Sequence, residues 1–219
     1  MKVGIMQPYF FPYIGYFSLI NEVDVFCFLD DVNFINKGWV NRNYFRSINT
    51  DLLLTVPLLK KSQNKKINEH FIFEKKDFDV KFSKILKESY DSNLVLEIIK
   101  KQSDFSQNIS KYNIEAIMFC MNQLGIRKKT FVASELNVDS GLYGSDRIIE
   151  ICKILGATSY INPIGGKSLY DKSDFDNENI SLNFIENKFH SDFNYSTLHD
   201  LLTMDKQFLI EKLEKYEIT

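Results

Sequence analysis

Val25-Phe26-Cys27-Phe28-Leu29 is a continuous apolar run stopped abruptly by Asp30-Asp31. A strand with one wet face alternates apolar and polar residues. An unbroken run instead implies a strand covered on both faces, as in a parallel sheet. Lys2 to Met6 reads as an earlier buried strand, and Leu52-Leu53-Leu54-Thr55-Val56, ended by Pro57, as a third run of the same kind. His70 to Phe73, Thr130 to Ala133, Thr158 to Asn162 and the alternating Ile180 to Ile185 are further strand candidates. Helical segments lie between them. Ile14 to Glu22 turns Phe17, Leu19 and Ile20 inward, and Arg147 to Leu155 is opened by Ser145 or Asp146 and ended by Gly156. Strand, helix, strand alternation at both ends predicts an α/β fold with a mostly parallel sheet.

From about residue 78 to 125 the apolar spacing turns helical, with Phe82, Ile85 and Leu86, then Ile98 and Ile99, then Ile114, Ile117, Met118 and Met121, and Gly125 as a C-cap. The 219 residues therefore predict a single domain, 1–219, with a helical insertion at about 78–125. At 44% apolar the chain has material for a sizeable core. A net charge of −2 gives no overall basic field for nucleic acid. The apolar N-terminal run is broken by Gln7, Pro8 and Pro12 and has no small-residue cleavage site, so it does not read as a signal peptide. No stretch has the roughly 18 apolar residues of a membrane span. The expectation is a cytoplasmic protein. Cys27, Cys120 and Cys152 are far apart in apolar stretches and read as buried reduced thiols. His70, His190 and His199 are scattered, so no metal is expected.

In open α/β sheets ligands sit beyond the carboxyl ends of the strands. Three loops should converge there: Gln7-Pro8 with the ring-rich Tyr9 to Tyr13, the segment from Asp30 to Asn43, and Pro163 to Ser168. Prolines stiffen the first loop, and Phe11 and Phe17 should pack inward while Tyr9, Tyr13 and Tyr16 offer hydroxyls to a ligand. Asp30 and Asp31 fit a general base, a metal ligand or a sugar-hydroxyl acceptor, and fit equally a turn or a cap. Trp39, the single tryptophan, with Asn41, Arg42 and Asn43 could stack on a ring and grip a phosphate, or sit at a core edge. Gly165-Gly166-Lys167-Ser168 is not a Walker A loop, because Ile161 stands where its first glycine belongs. It still permits close backbone approach to a ligand, or simply a tight turn. Lys60 to Lys66 reads as an exposed loop. Ser196-Thr197-Leu198-His199-Asp200 reads as a helix N-cap rather than a catalytic triad.

The stretches MQPYFFPYIGYFSLI, DVFCFLDDVNFINKGWVNRN and RIIEICKILGATSYINPIGGKSLYDKSDF resemble the WbqC-like proteins. That resemblance implies work on a nucleotide-linked sugar, since genes of the family occur among bacterial O-antigen and surface-polysaccharide loci. The opening strand, Pro-rich loop and Gly15-Tyr16-Phe17 also resemble the start of Rossmann-like, HIGH-type nucleotide-binding enzymes. Here Tyr16 stands in place of the phosphate-binding histidine, and no second histidine precedes it.

Together these imply acyl or aminoacyl transfer to the amine of a nucleotide-linked amino sugar, with that sugar and an acyl or amino-acid donor as partners. Asp30 or Asp31 would be the base, Arg42 and Lys167 would hold phosphates, and Trp39 or Tyr13 would stack. Gln7, Tyr9, Asn41, Asn43, Gly165 and Gly166 complete the expected binding set. The alternatives are adenylation or nucleotidyl transfer with ATP and magnesium, or a non-catalytic binding protein of the same glycan route.

Overall fold

The computed structural model describes residues 1–47, 50–189 and 194–219. In chain order its elements are β1 (Lys2–Met6), α1 (Ile14–Glu22), β2 (Val25–Phe28), β3 (Arg42–Ser47) and β4 (Thr50–Thr55). The helices α2 (Lys75–Ser89), α3 (Asn93–Asp104) and α4 (Ile109–Leu124) follow. Then come β5 (Lys129–Val132), α5 (Gly144–Leu155), β6 (Ser159–Pro163), α6 (Lys172–Asp176) and β7 (Ser181–Asn187). The chain closes with α7 (Thr197–Thr203), α8 (Lys206–Glu214) and β8 (Tyr216–Ile218).

The main sheet has the order β5-β2-β1-β6-β7-β8, parallel throughout except for β8, which pairs antiparallel with β7 at one edge. Both faces are covered, as the continuous apolar runs require. Val3, Ile5, Val25 and Cys27 face a core shared with α5 and α6, while Phe26 and Phe28 face α1 and the helical block. Thus the period-2 geometry of a strand divides one apolar run between two cores. All three cysteines are buried, and burial pushes the Cys27 and Cys152 thiols up to about 12. They are inert packing groups at neutral pH.

Two segments depart from the sequence expectation. Residues 52–56 do not join the main sheet. Leu52, Leu53 and Leu54 belong to β4, which pairs antiparallel with β3 in a separate two-stranded unit, and Leu53 is exposed. An apolar run does not state its partner: here β3 is the paired neighbour, and only Leu54 and Val56 of the run reach the core. Residues 70–73 make only two isolated bridges, Leu58 to Ile72 and Phe71 to Asn108, in place of a strand. There His70 is buried, with Nδ1 bonded to the Lys66 carbonyl at 2.8 Å and Nε2 accepting the Ser62 N–H at 3.2 Å, so it anchors the lysine-rich loop. His190 lies outside the described residues.

Gly4, in the central strand, lets α1 approach the sheet. A Cβ there would lie 3.2 Å from Phe26 and 3.3 Å from both Leu19 and Val23. Gly4→Ala should therefore lower unfolding free energy by about 1–3 kcal/mol in urea titrations, as overpacked cores do. An unchanged midpoint would show that α1 moves away freely.

Candidate functional site

From β1 the chain passes to β2 on one side, and later returns through β6 on the other side. The strand order reverses between β1 and β6, the position where open α/β sheets leave a crevice at their carboxyl ends. A cavity of about 480 Å³ lies there. Gln7, Tyr9 and Tyr13 from the loop after β1 line it, with Trp39 and with Asn162, Gly165, Gly166 and Tyr170 from the end of β6. A smaller lobe of about 140 Å³ shares Tyr9, Tyr13 and Trp39 and adds Asn43 and Asn194. A larger depression of about 820 Å³, between the start of α2 and the end of α3, is shallower and lies away from the strand ends.

The loop from Gln7 to Tyr13 carries most of the lining, and its backbone is unusual. Phe11 is fully buried with φ +42°, a left-handed conformation that is rare for a bulky residue. Buried carbonyls in such a loop have no strand partner and need donors from elsewhere. Asn43 Nδ2 donates to the Phe10 and Phe11 carbonyls at 3.1 and 2.7 Å, and Asn113 Nδ2 donates to that of Pro8 at 2.9 Å. The Thr197 N–H donates to the Pro12 carbonyl at 2.9 Å, and the Tyr16 hydroxyl to that of Gln7 at 3.0 Å. Phe10 and Phe11 pack on Phe45 and Phe82, which turns Tyr9 and Tyr13 outward into the groove. Tyr16 differs from its expected role: it is fully buried beneath the loop, with its hydroxyl engaged.

Burial raises the Tyr9 and Tyr13 hydroxyls above the ordinary tyrosine range, so both are protonated donors at neutral pH. Trp39 is 44% exposed, with the Arg42 guanidinium 5.8 Å above its ring and also donating to the Lys37 carbonyl. Asn162 Oδ1 accepts the Tyr160 hydroxyl at 3.2 Å, which aims its Nδ2 toward Gly166. A Cβ at Gly166 would collide with that nitrogen, so only glycine allows the turn to close over the amide.

The two aspartates do not line the groove. Asp30 is buried; its carboxylate accepts the Ser134 N–H at 3.0 Å, the Ser134 hydroxyl at 2.7 Å and Asn68 Nδ2 at 3.2 Å. Asp31 forms a largely buried ion pair with Arg147 of α5. Both tie the end of β2 to its surroundings. Asn41 Nδ2 donates to the Val56 carbonyl at 2.9 Å, closing the base of the β3–β4 unit. Lys167 is exposed on the turn after β6. Gln7, Tyr9, Tyr13, Trp39, Gly165 and Gly166 are thus brought together, Asn43 joins through the smaller lobe, and Arg42 backs Trp39. Asn113, Asn162, Asn194 and Tyr170 were not singled out from sequence. Asn113 did carry a signal, being a polar residue among Ile109, Ala116, Ile117 and Cys120 at helical spacing.

Ser196, His199 and Asp200 have separate jobs. Ser196 Oγ caps α7 by accepting the Leu198 and His199 N–H groups, and Asp200 pairs with buried Lys212 at 2.9 Å. His199 Nδ1 lies 3.0 Å from the Tyr90 hydroxyl. Among the described residues no group of three or more His, Cys, Asp or Glu side chains gathers as a metal site, and no helix is long and apolar enough to cross a membrane.

The model of the WbqC-like protein family matches residues 7–201. An uncharacterized protein of Mycobacterium tuberculosis is 25% identical over 199 residues, covering 88% of this chain and 85% of that protein. No solved structure matches the chain significantly.

Two outcomes follow from these environments. Asp30→Ala strands three donors and should lower unfolding free energy by about 3 kcal/mol in urea titration, whereas a loss under roughly 0.5 kcal/mol would remove the tether. Burial lowers the His199 pKa from 6.5 to about 4. The unfolded chain therefore takes up this proton first, so stability is complete above pH 6.5 and falls as pH drops toward 4. His199→Gln should flatten that part of the melting-temperature profile, and an unchanged slope would mean that His199 is already charged in the fold.

Proposed function

The chain belongs to the WbqC-like protein family, and on that footing we propose that it binds a nucleotide-linked sugar in the groove between β1 and β6, in bacterial surface-polysaccharide assembly. The observation that carries this reading is the lining itself: Tyr9, Tyr13 and Trp39, with the amides of Gln7 and Asn162, around a cavity at the sheet's switch point. Aromatic faces stack on sugars and bases, and amides read hydroxyl and ring heteroatoms without a charge. Arg42, stacked on Trp39, and Lys167, on the turn after β6, are the cations assigned to the diphosphate.

The reaction we favour is acyl or aminoacyl transfer to the amine of an amino sugar. The amine nitrogen attacks the carbonyl carbon of an activated donor, the leaving group departs with its electron pair, and the ammonium proton passes to solvent. The side chains lining the larger lobe are neutral at pH 7, so this chain contributes binding and orientation, which by themselves raise effective concentration greatly. Asp30 and Asp31 act in this scheme through the loops they hold.

Calorimetry and thermal melting with UDP-N-acetylglucosamine and other UDP- and dTDP-linked amino sugars test the reading. A ligand at ~100 times its Kd should raise Tm by about 5 °C. Trp39→Ala should weaken that binding by about tenfold, the scale of one lost stacking contact. Melting shifts from ATP with magnesium, and none from any sugar nucleotide, would replace this function with adenylate chemistry.

A further inference from the structure

Asn113 lies in the second turn of α4, fully buried. Its Nδ2 donates to the Pro8 carbonyl at 2.9 Å and to the Val40 carbonyl at 2.7 Å, across 105 and 73 residues of sequence. Pro8 leads into Tyr9, and Val40 follows Trp39. One amide therefore joins two segments whose rings both line the groove. A direct bond from the Phe10 N–H to the Trp39 carbonyl, 3.0 Å, runs beside it. Asn113 Oδ1 is buried without a hydrogen-bond partner among the described residues. The amide orientation is nonetheless determined, because a flip would set that oxygen against two carbonyl oxygens. A side chain selected for packing alone would be apolar here, like its neighbours Ile109, Ala116, Ile117 and Cys120.

We infer that Asn113 is a positioning residue of the groove, setting the separation of Tyr9 and Trp39 and through it the affinity for the ring they enclose. It touches no ligand itself. Its effect on affinity rests on the ligand reading above; its effect on Trp39 does not.

Trp39 is the single tryptophan, so its fluorescence reports this wall alone. In the free protein, Asn113→Ala should raise acrylamide quenching of Trp39 by about twofold, because two strong backbone tethers are lost and the wall loosens. Affinity for the nucleotide sugar should fall by about tenfold. Asn113→Ser, which leaves room for water and keeps one donor, should show both changes in smaller measure, and it decides the matter if the alanine variant does not fold. Ile98→Ala, a buried change in α3, serves as the stability-matched comparison and should leave Trp39 quenching native. Native quenching in the folded Asn113 variants, or equal quenching in Ile98→Ala, overturns the positioning role. If the unaltered chain binds no nucleotide sugar while the Asn113 variants still loosen Trp39, the ligand reading fails and the positioning role stands.

Discussion

Side-chain amides take the place of backbone pairing in the loop that follows β1, and the groove depends on them. Pro8, Phe10, Phe11 and Pro12 are buried, and the loop is too sharply bent for a strand ladder. Each unpaired buried carbonyl would cost on the order of 1–3 kcal/mol. Asn43 supplies two donors from β3, Asn113 supplies one from α4 while its second goes to Val40, and Thr197 adds a backbone N–H from α7. Three parts of the chain far from the N-terminus are therefore needed before the loop can take its shape. That arrangement also holds Phe11 in a left-handed conformation, since surroundings that over-determine a residue can sustain such strain.

The sheet supplies the other half of the constraint. Two parallel neighbours leave β1 no free edge, so whatever follows Met6 must exit upward between the loops of β2 and β6. Gly4 brings α1 close against the sheet, and the start of that helix then lies directly after the ring-bearing loop. Aromatic packing works downward from the same point. Phe10 meets Phe45, Phe78, Phe82 and Tyr112, joining the loop to the hairpin and to the helical block in one core. The groove is thus a surface of the main core, and its shape is as rigid as that core allows.

Much of this was legible in the sequence, for reasons that differ by element. Unbroken apolar runs identified β1 and β2, because only a doubly covered strand tolerates them. The same rule misassigned Leu52 to Val56, since a hairpin strand that buries only Leu54 and Val56 can be as apolar as one inside a sheet. The rings of Tyr9, Tyr13 and Trp39 were visible as candidates because aromatic residues crowd into the loop after a strand. The amide braces were not: Asn113 stands out as a polar residue on an apolar helix face, but nothing at either position names Pro8 as its partner. For Asp30 and Asp31, a position just after a strand is compatible with catalysis and with tethering. Only the surrounding donors, Ser134, Asn68 and Arg147, distinguish the two.

The distribution of charge completes the picture. Two buried ion pairs, Asp31 with Arg147 and Asp200 with Lys212, lie outside the groove lining, and breaking either would leave an uncompensated charge. Buried Asp30 is held by neutral donors. The larger lobe of the groove is lined by rings, amides and glycines instead. A neutral, partly dry site discriminates through stacking area and the geometry of its donors and acceptors, and it penalises a ligand whose polar groups fail to meet them. On the proposed function, a ligand's charges would stay outside this lining, where Lys167 is exposed and Arg42 lies against the Trp39 ring. A sugar or base ring held inside, with a phosphate-bearing tail directed outward, is the ligand form that this proposal requires.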